Sequence, residues 1–216
     1  MGTILASAII TSVRRVLLDP TPGVTWADAD LLAMLNEGER AICAIKREAN
    51  PVRGAVTLAA GTKQSLPAGG IAVMEAYENT VSGRRCTLAN RELVDAAAPF
   101  FPAATQEVDA EHYMKDDRDP TRFDVIPPND GTGSLQMLYG AVPTALTLTS
   151  SAINLLDIYE HALKAFILSQ AYAENTDRQD LAKSTQYAND WKALVGISSG
   201  SQVAVSPKVG RQGGSA

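Results

Sequence analysis

The densest chemistry in this sequence is acidic: Asp116, Asp117, Asp119 and Asp124 fall in one short stretch. Carboxylates so spaced could ligate a hard cation such as calcium, but that requires an ordered loop with a central glycine and a bidentate acid. Here Pro120 stands in the middle, and Lys115, Arg118 and Arg122 interleave, so the stretch reads as a solvated loop that neutralises itself. Glu107 and Glu111 have the types needed for paired acid/base work, yet nothing around them outlines a substrate pocket. The two histidines, His112 and His161, begin no HExxH, and both read as packed or surface residues. Gly131-Thr132-Gly133 could cradle a phosphate, but a lone GxG between strands reads as a turn. No GxSxG elbow, P-loop or GxGxxG occurs. Cys43 and Cys86 lack CxxC or Cys/His spacing and read as buried free thiols. No nucleophile–base pair emerges, so the expectation is a non-enzymatic protein without cofactor or metal.

The charge balance points the same way. The 216 residues carry 24 acids against 19 bases, a net charge of -5, which leaves no global basic excess to grip phosphates. Arg14-Arg15 and Arg84-Arg85 are basic pairs without the aromatic neighbours of a nucleic-acid site. An acidic protein can still let DNA slide past it. A composition of 45% hydrophobic and 20% charged residues is ordinary for a globular chain. No stretch has the length and apolarity of a membrane helix, and the start lacks signal-peptide features. A cytosolic origin is expected.

The elements that would position these residues follow from periodicity. Leu5, Ile9, Val13 and Val16 predict a helix over residues 3–18, ended by Asp19-Pro20. A second helix is predicted over 26–49, with Thr25 as N-cap and Asp28 completing a capping box. The pattern then changes to strands. Ala55-Val56-Thr57-Leu58 and Gln64-Ser65-Leu66 read as a hairpin about Gly61-Thr62-Lys63, followed by a strand over 71–77. A short helix is expected over 90–98 and a short strand over 112–114. A strand over 123–126, closed by Pro127-Pro128, reads as the hairpin partner of 134–139. Two helices follow. The first, over 155–173, is apolar nearly all round, which marks a helix buried or in an interface. The second covers 177–195, with Thr176 and Gln179 at capping-box spacing and Gly196 as C-cap. The short link between them predicts an antiparallel helix hairpin. The Gly/Ser-rich residues 197–216 cannot build a core and read as an extended tail.

The fold class expected is α+β: a helical bundle formed by the N- and C-terminal helices, with a central β-rich insertion and an extended C-terminal tail. The expected divisions are 1–50, 51–150, 151–196 and 197–216. Several runs carry a resemblance. The opening helix breaks at Leu18-Asp19-Pro20, and Thr25-Trp26 leads into Leu31-Leu32-Ala33-Met34-Leu35-Asn36-Glu37-Gly38. The middle carries Asp119-Pro120-Thr121-Arg122-Phe123-Asp124-Val125-Ile126-Pro127-Pro128 and then Leu135-Gln136-Met137-Leu138-Tyr139-Gly140-Ala141-Val142-Pro143. The closing helices contain Tyr159-Glu160-His161-Ala162-Leu163 and Ala171-Tyr172-Ala173. With these runs the chain resembles the head-to-tail adaptor, or head-completion, proteins of tailed bacteriophages.

That resemblance implies a subunit of a homo-oligomeric ring, typically twelvefold, in the virion neck. Such a ring joins the portal to the tail or nozzle proteins and continues the DNA channel without binding DNA specifically. It is made in the host bacterial cytoplasm and needs no membrane. By the same resemblance, Val203, Val205, Lys208 and Arg211 in the tail form a candidate portal-binding arm. Asp116, Asp117 and Asp119 form a candidate acidic loop facing channel or tail. Ile158, Ala165 and Leu168 mark a candidate subunit-interface helix. Another neck or tail-completion protein, or a DNA-packaging accessory factor, are the competing readings.

Overall fold

The computed structural model describes residues 2–19, 25–174 and 178–196. Helix α1 spans Ala6–Leu17 and α2 spans Asp28–Ile45. Seven strands follow, interrupted by a short helix: β1 Pro51–Thr57, β2 Gly61–Ser65, β3 Gly70–Asn79, β4 Thr87–Leu88, α3 Arg91–Ala97, β5 His112–Lys115, β6 Arg122–Asn129 and β7 Ser134–Ala141. Helices α4, Glu160–Ala173, and α5, Leu181–Val195, complete the described chain. The fold is mixed α and β, as expected.

Helices from both ends of the chain share one core. Ile9, Val13, Leu31, Leu35, Ile42, Leu163, Ile167 and Val195 belong to a single buried cluster drawn from α1, α2, α4 and α5. Burying such side chains supplies about 25 cal/mol for each Å² of apolar surface removed from water. Helix α4 is the centre: it packs against α1, α2 and α5, and this demand on every side explains why its sequence is apolar nearly all round. At Gly38 a methyl group would press on the Phe166 ring and Leu163, so glycine lets α2 approach α4 closely. Tyr172 stacks on Tyr187, Ser184 donates to the Ser169 carbonyl, and Phe166 meets Trp191 edge-on. The two ring pairs run in opposite directions along the helices, Tyr172 with Tyr187 and Phe166 with Trp191, so α4 and α5 are antiparallel.

Some expected helix ends move. Thr25 is not the N-cap of α2; that position is Ala27, whose N–H donates to the Asp30 carboxylate at 3.3 Å. Asp28 serves α1 instead, accepting from Arg14. Helix α2 stops at Ile45, short of Ala49, and α4 begins only after a 3₁₀ turn over Asp157–Tyr159. Asp180 caps α5 through the Lys183 N–H, while the expected cap Thr176 lies outside the described residues. Gly196 does end α5, in the left-handed conformation expected of it.

The strands form two sheets, ordered β1-β7-β3 and β2-β6-β5-β4. Neither expected hairpin exists. β1 pairs with β7 and β2 with β6, so 51–65 and 122–141 are two long antiparallel runs that bend together from one sheet into the other. The turn residues that read as hairpin loops are the bends. Buried Gln64 holds the first, accepting from the Ala59 N–H and donating to the Ala59 and Gly61 carbonyls. Buried Asn129 holds the second, accepting from the Gly131 and Gly133 N–H groups and donating to the Glu107 and Val108 carbonyls. The Leu58 N–H donates to the Gly133 carbonyl, tying one bend to the other. β6 runs through Pro127-Pro128 rather than closing there. The prolines fall in the irregular stretch between the Lys63–Asp124 and Gly61–Asn129 pairs, where the lack of an N–H costs no regular ladder bond. Val56, Phe123, Val125, Leu135 and Met137 fill a second core between the sheets.

Where the strands leave and rejoin the helices, Asn50 and Ala141 exchange two bonds: the Ala141 N–H donates to the Asn50 carbonyl, and the Asn50 amide donates to the Ala141 carbonyl. A Cβ at Gly140 would collide with the Arg47 carbonyl oxygen, so the chain can close this neck only with glycine there.

Candidate assembly surfaces

The acidic stretch is ordered by its own backbone. It links β5 to β6. Asp116 accepts from the Arg118 and Asp119 N–H groups, and Asp119 accepts from the N–H and hydroxyl of Thr121. These bonds hold both carboxyls below the ordinary carboxylate range, the Arg118 N–H leading at Asp116 and the Thr121 hydroxyl at Asp119. Asp119 also pairs with Arg122 at 3.1 Å, and Asp124 with Arg91. Asp117 is exposed. Among the described residues no three His, Cys, Asp or Glu side chains converge as metal ligands would.

The other candidates for chemistry are equally committed to structure. The Gly131 and Gly133 N–H groups point at Asn129, and the Thr132 N–H at Asp130, so the GxG turn aims none of them at a phosphate. Glu111 pairs with Arg84 at 2.8 Å, and His112 Nδ1 lies 2.7 Å from the Thr87 hydroxyl. His161 is exposed on α4. Cys43 and Cys86 are free and buried, and burial pushes their thiols up to about 11 and about 12.

Sequence reasoning missed the ionic cluster at Arg14. Its guanidinium is buried at the end of α1 and donates to Asp19 at 3.1 Å, to Asp28 at 2.6 Å and to the Trp26 carbonyl at 2.8 Å. Asp19 in turn accepts from the Thr25 and Trp26 N–H groups. Arg14 therefore fixes the angle between α1 and α2 and is not part of a basic surface pair. Two carboxylates within reach of one arginine along the chain were the signal.

The three residues marked on the candidate interface helix part company. Ile158 is 76% exposed, whereas Ala165 and Leu168 are 6% and 5% exposed and packed inside this chain. The structure brings Ile158 instead toward the surface where the N-terminal segment pairs with 149–157: the Thr3 N–H and hydroxyl donate to Asp157, and Leu5 bridges to Ala152. Val203, Val205, Lys208 and Arg211 lie outside the described residues.

A larger exposed apolar surface lies elsewhere. Residues 96–104 read Ala-Ala-Ala-Pro-Phe-Phe-Pro-Ala-Ala, and α3, which ends at Ala97 within this run, buries no residue. Leu88 and Leu93 before this run and Phe100 within it stand in solvent. The signal in the sequence was an apolar run with neither helical nor strand period. No described helix is long and apolar enough to cross a membrane.

Comparison with known proteins agrees with a role built on surfaces. No curated protein matches the chain. The family model of the SU10 adaptor protein matches residues 5–211. The chain belongs to this family of phage head-to-tail adaptors.

Proposed function

We propose that this chain is a non-enzymatic subunit of a homo-oligomeric ring in the virion neck, seated below the portal, joining capsid to tail and continuing the DNA channel. The observation that carries the reading is the family match across residues 5–211. The structure supports it by what its polar groups do: its buried carboxylates and amides hold bends and helix junctions, and its exposed apolar surface awaits a partner. The helical divisions 1–50 and 151–196 build the ring body, and 51–150 faces the channel or tail. Asp116, Asp117 and Asp119 then present negative charge along that face, and the net charge of -5 keeps DNA from adhering as it passes. Residues 197–216 carry Lys208 and Arg211 and no acid, and act as the portal-binding arm.

Purified protein mixed with its portal is expected to give a ring complex by electron microscopy. Deleting 197–216 is expected to leave the thermal midpoint unchanged and to weaken portal attachment. A truncated protein that binds portal as well as the full chain removes the arm from the reading. A full-length protein that stays monomeric and never engages portal removes the reading itself.

A further inference from the structure

Between β4 and β5 the chain makes an excursion, over 89–111, that its own fold does little to cover. Phe100 is 83% exposed and Leu93 70% exposed, and Leu88, at the end of β4 where the excursion begins, is exposed as well. This surface is held in place. Asn90 caps α3 by accepting from the Glu92 and Leu93 N–H groups, Arg91 pairs with Asp124 of β6, and Phe101, 9% exposed, is turned inward beside β6. One phenylalanine anchors the loop and its neighbour is presented to solvent. Glu92 and Asp95 are exposed on the same short helix as Leu93, and neither forms an ion pair among the described residues.

A second surface has the opposite character. At the junction of helices and strands lies a cleft of about 340 Å³, walled by Cys43, Ala44, Ile71, Val142 and Pro143. Arg40 and Arg47 line it too, and among the described residues neither is in an ion pair. The cleft is concave, apolar and rimmed by positive charge. The excursion is exposed and apolar, and its helix carries the acids Glu92 and Asp95. The two surfaces share no residue.

We propose that Phe100 and Leu93 of one copy dock in the Arg40–Arg47 cleft of a second copy, with Glu92 and Asp95 meeting the two arginines. The occupant is a second copy because one sequence supplies both an exposed apolar surface bearing acids and an apolar cleft bearing arginines. A contact between two different patches of identical chains is heterologous, and such contacts propagate around a ring until it closes. This rests on the ring reading above and names the surfaces that would build it.

The test is made on the full chain with portal present. A chain carrying both Phe100→Cys and Val142→Cys is expected on oxidation to give a ladder of covalent multimers. Each single variant should stop at dimers. These variants are made in a Cys43→Ser, Cys86→Ser background, because Cys43 lines the same cleft as Val142. Phe100→Asp and Arg47→Glu are each expected to cut multimer yield at least tenfold without moving the thermal midpoint, since both side chains are exposed. Combining Glu92→Arg and Asp95→Arg with Arg40→Glu and Arg47→Glu should restore it. Phe100→Asp assembling at the wild-type yield overturns the docking and leaves the adaptor reading intact. The same holds if that variant assembles normally but loses portal or tail attachment, which assigns the excursion to another protein. A wild-type chain that neither multimerises nor engages portal overturns both.

Discussion

The helical and the stranded regions are held together by different means. In the helical region, α1, α2, α4 and α5 meet through apolar side chains, and glycine at Gly38 lets α2 approach α4 closely. Polar groups there act at the junctions, as Arg14 does between α1 and α2. In the stranded region the core is smaller, and the path of the chain depends on buried amides at its bends. A sheet that bends leaves backbone groups without ladder partners, and a buried Asn or Gln supplies both a donor and an acceptor to replace them. Helices satisfy their own backbone, so their packing can be left to shape. The stranded region should accordingly be sensitive to single polar atoms, and the helical region to volume.

The largest expected effects test whether the two regions are one cooperative unit. Phe123→Ala in the strand core should cost about 4 kcal/mol, and Leu163→Ala in the helix core about 3 kcal/mol, since both side chains are fully buried. Trp26 and Trp191, the two tryptophans, both pack on the helical core. Tryptophan fluorescence therefore reports the helical region alone. If the Asn50–Ala141 clasp couples the regions, Phe123→Ala lowers the fluorescence midpoint as much as the midpoint read by far-ultraviolet circular dichroism. Two separated transitions would mean that the clasp does not couple them.

A smaller effect tests the bends. Asn129→Ala removes the acceptor of the buried Gly133 N–H and the donor to the Glu107 and Val108 carbonyls. Unfolding in urea should show a loss of about 2 kcal/mol, set by the backbone groups left unsatisfied. A loss within error of zero would mean that the bend is held by backbone geometry alone.

The two regions were also unequally legible in the sequence. Helical periodicity is local: Leu5, Ile9 and Val13 announce α1 without reference to anything else. Strand existence is local too, and β3, β5, β6 and β7 appear near where alternation places them. Strand partnership is not. Gly61-Thr62-Lys63 and Asn129-Asp130-Gly131-Thr132-Gly133 have the composition of hairpin loops, but a bend between sheets needs the same flexible and amide-bearing residues. What distinguishes them is the burial of Asn129 and Gln64, which a sequence does not display. The assembly surface was hidden for a related reason. A helix that is apolar on all sides reads alike whether its neighbours belong to its own chain or to another, so the apolarity of Ala165 and Leu168 in α4 pointed outward when it served α1, α2 and α5.

The smallest expected effect separates the regions by pH. Glu39 is fully buried on α2, accepts from the Asn154 N–H at 2.7 Å and from its side-chain amide at 2.6 Å, and so fastens the returning segment to the helices. Burial raises its carboxyl above the ordinary value of 4.5, against the lowering pull of the Asn154 bonds. The folded protein thus holds this proton more tightly than the unfolded chain. Stability should rise as the pH falls through the folded value toward 4.5, and the gain should be complete below it. Asp157, on the same returning segment, behaves oppositely. The Thr3 hydroxyl and N–H hold it below 3.8, so its contribution is present above that value and is lost as the pH falls through the folded one. Between neutral pH and the unfolded-state carboxylate values of about 4, the thermal midpoint of the wild type should rise relative to that of Glu39→Gln. The substitution's altered bonding to Asn154 shifts the whole curve, whereas titration of Glu39 changes only its slope. Parallel curves would mean that Glu39 stays ionised throughout, with the two Asn154 bonds outweighing its burial.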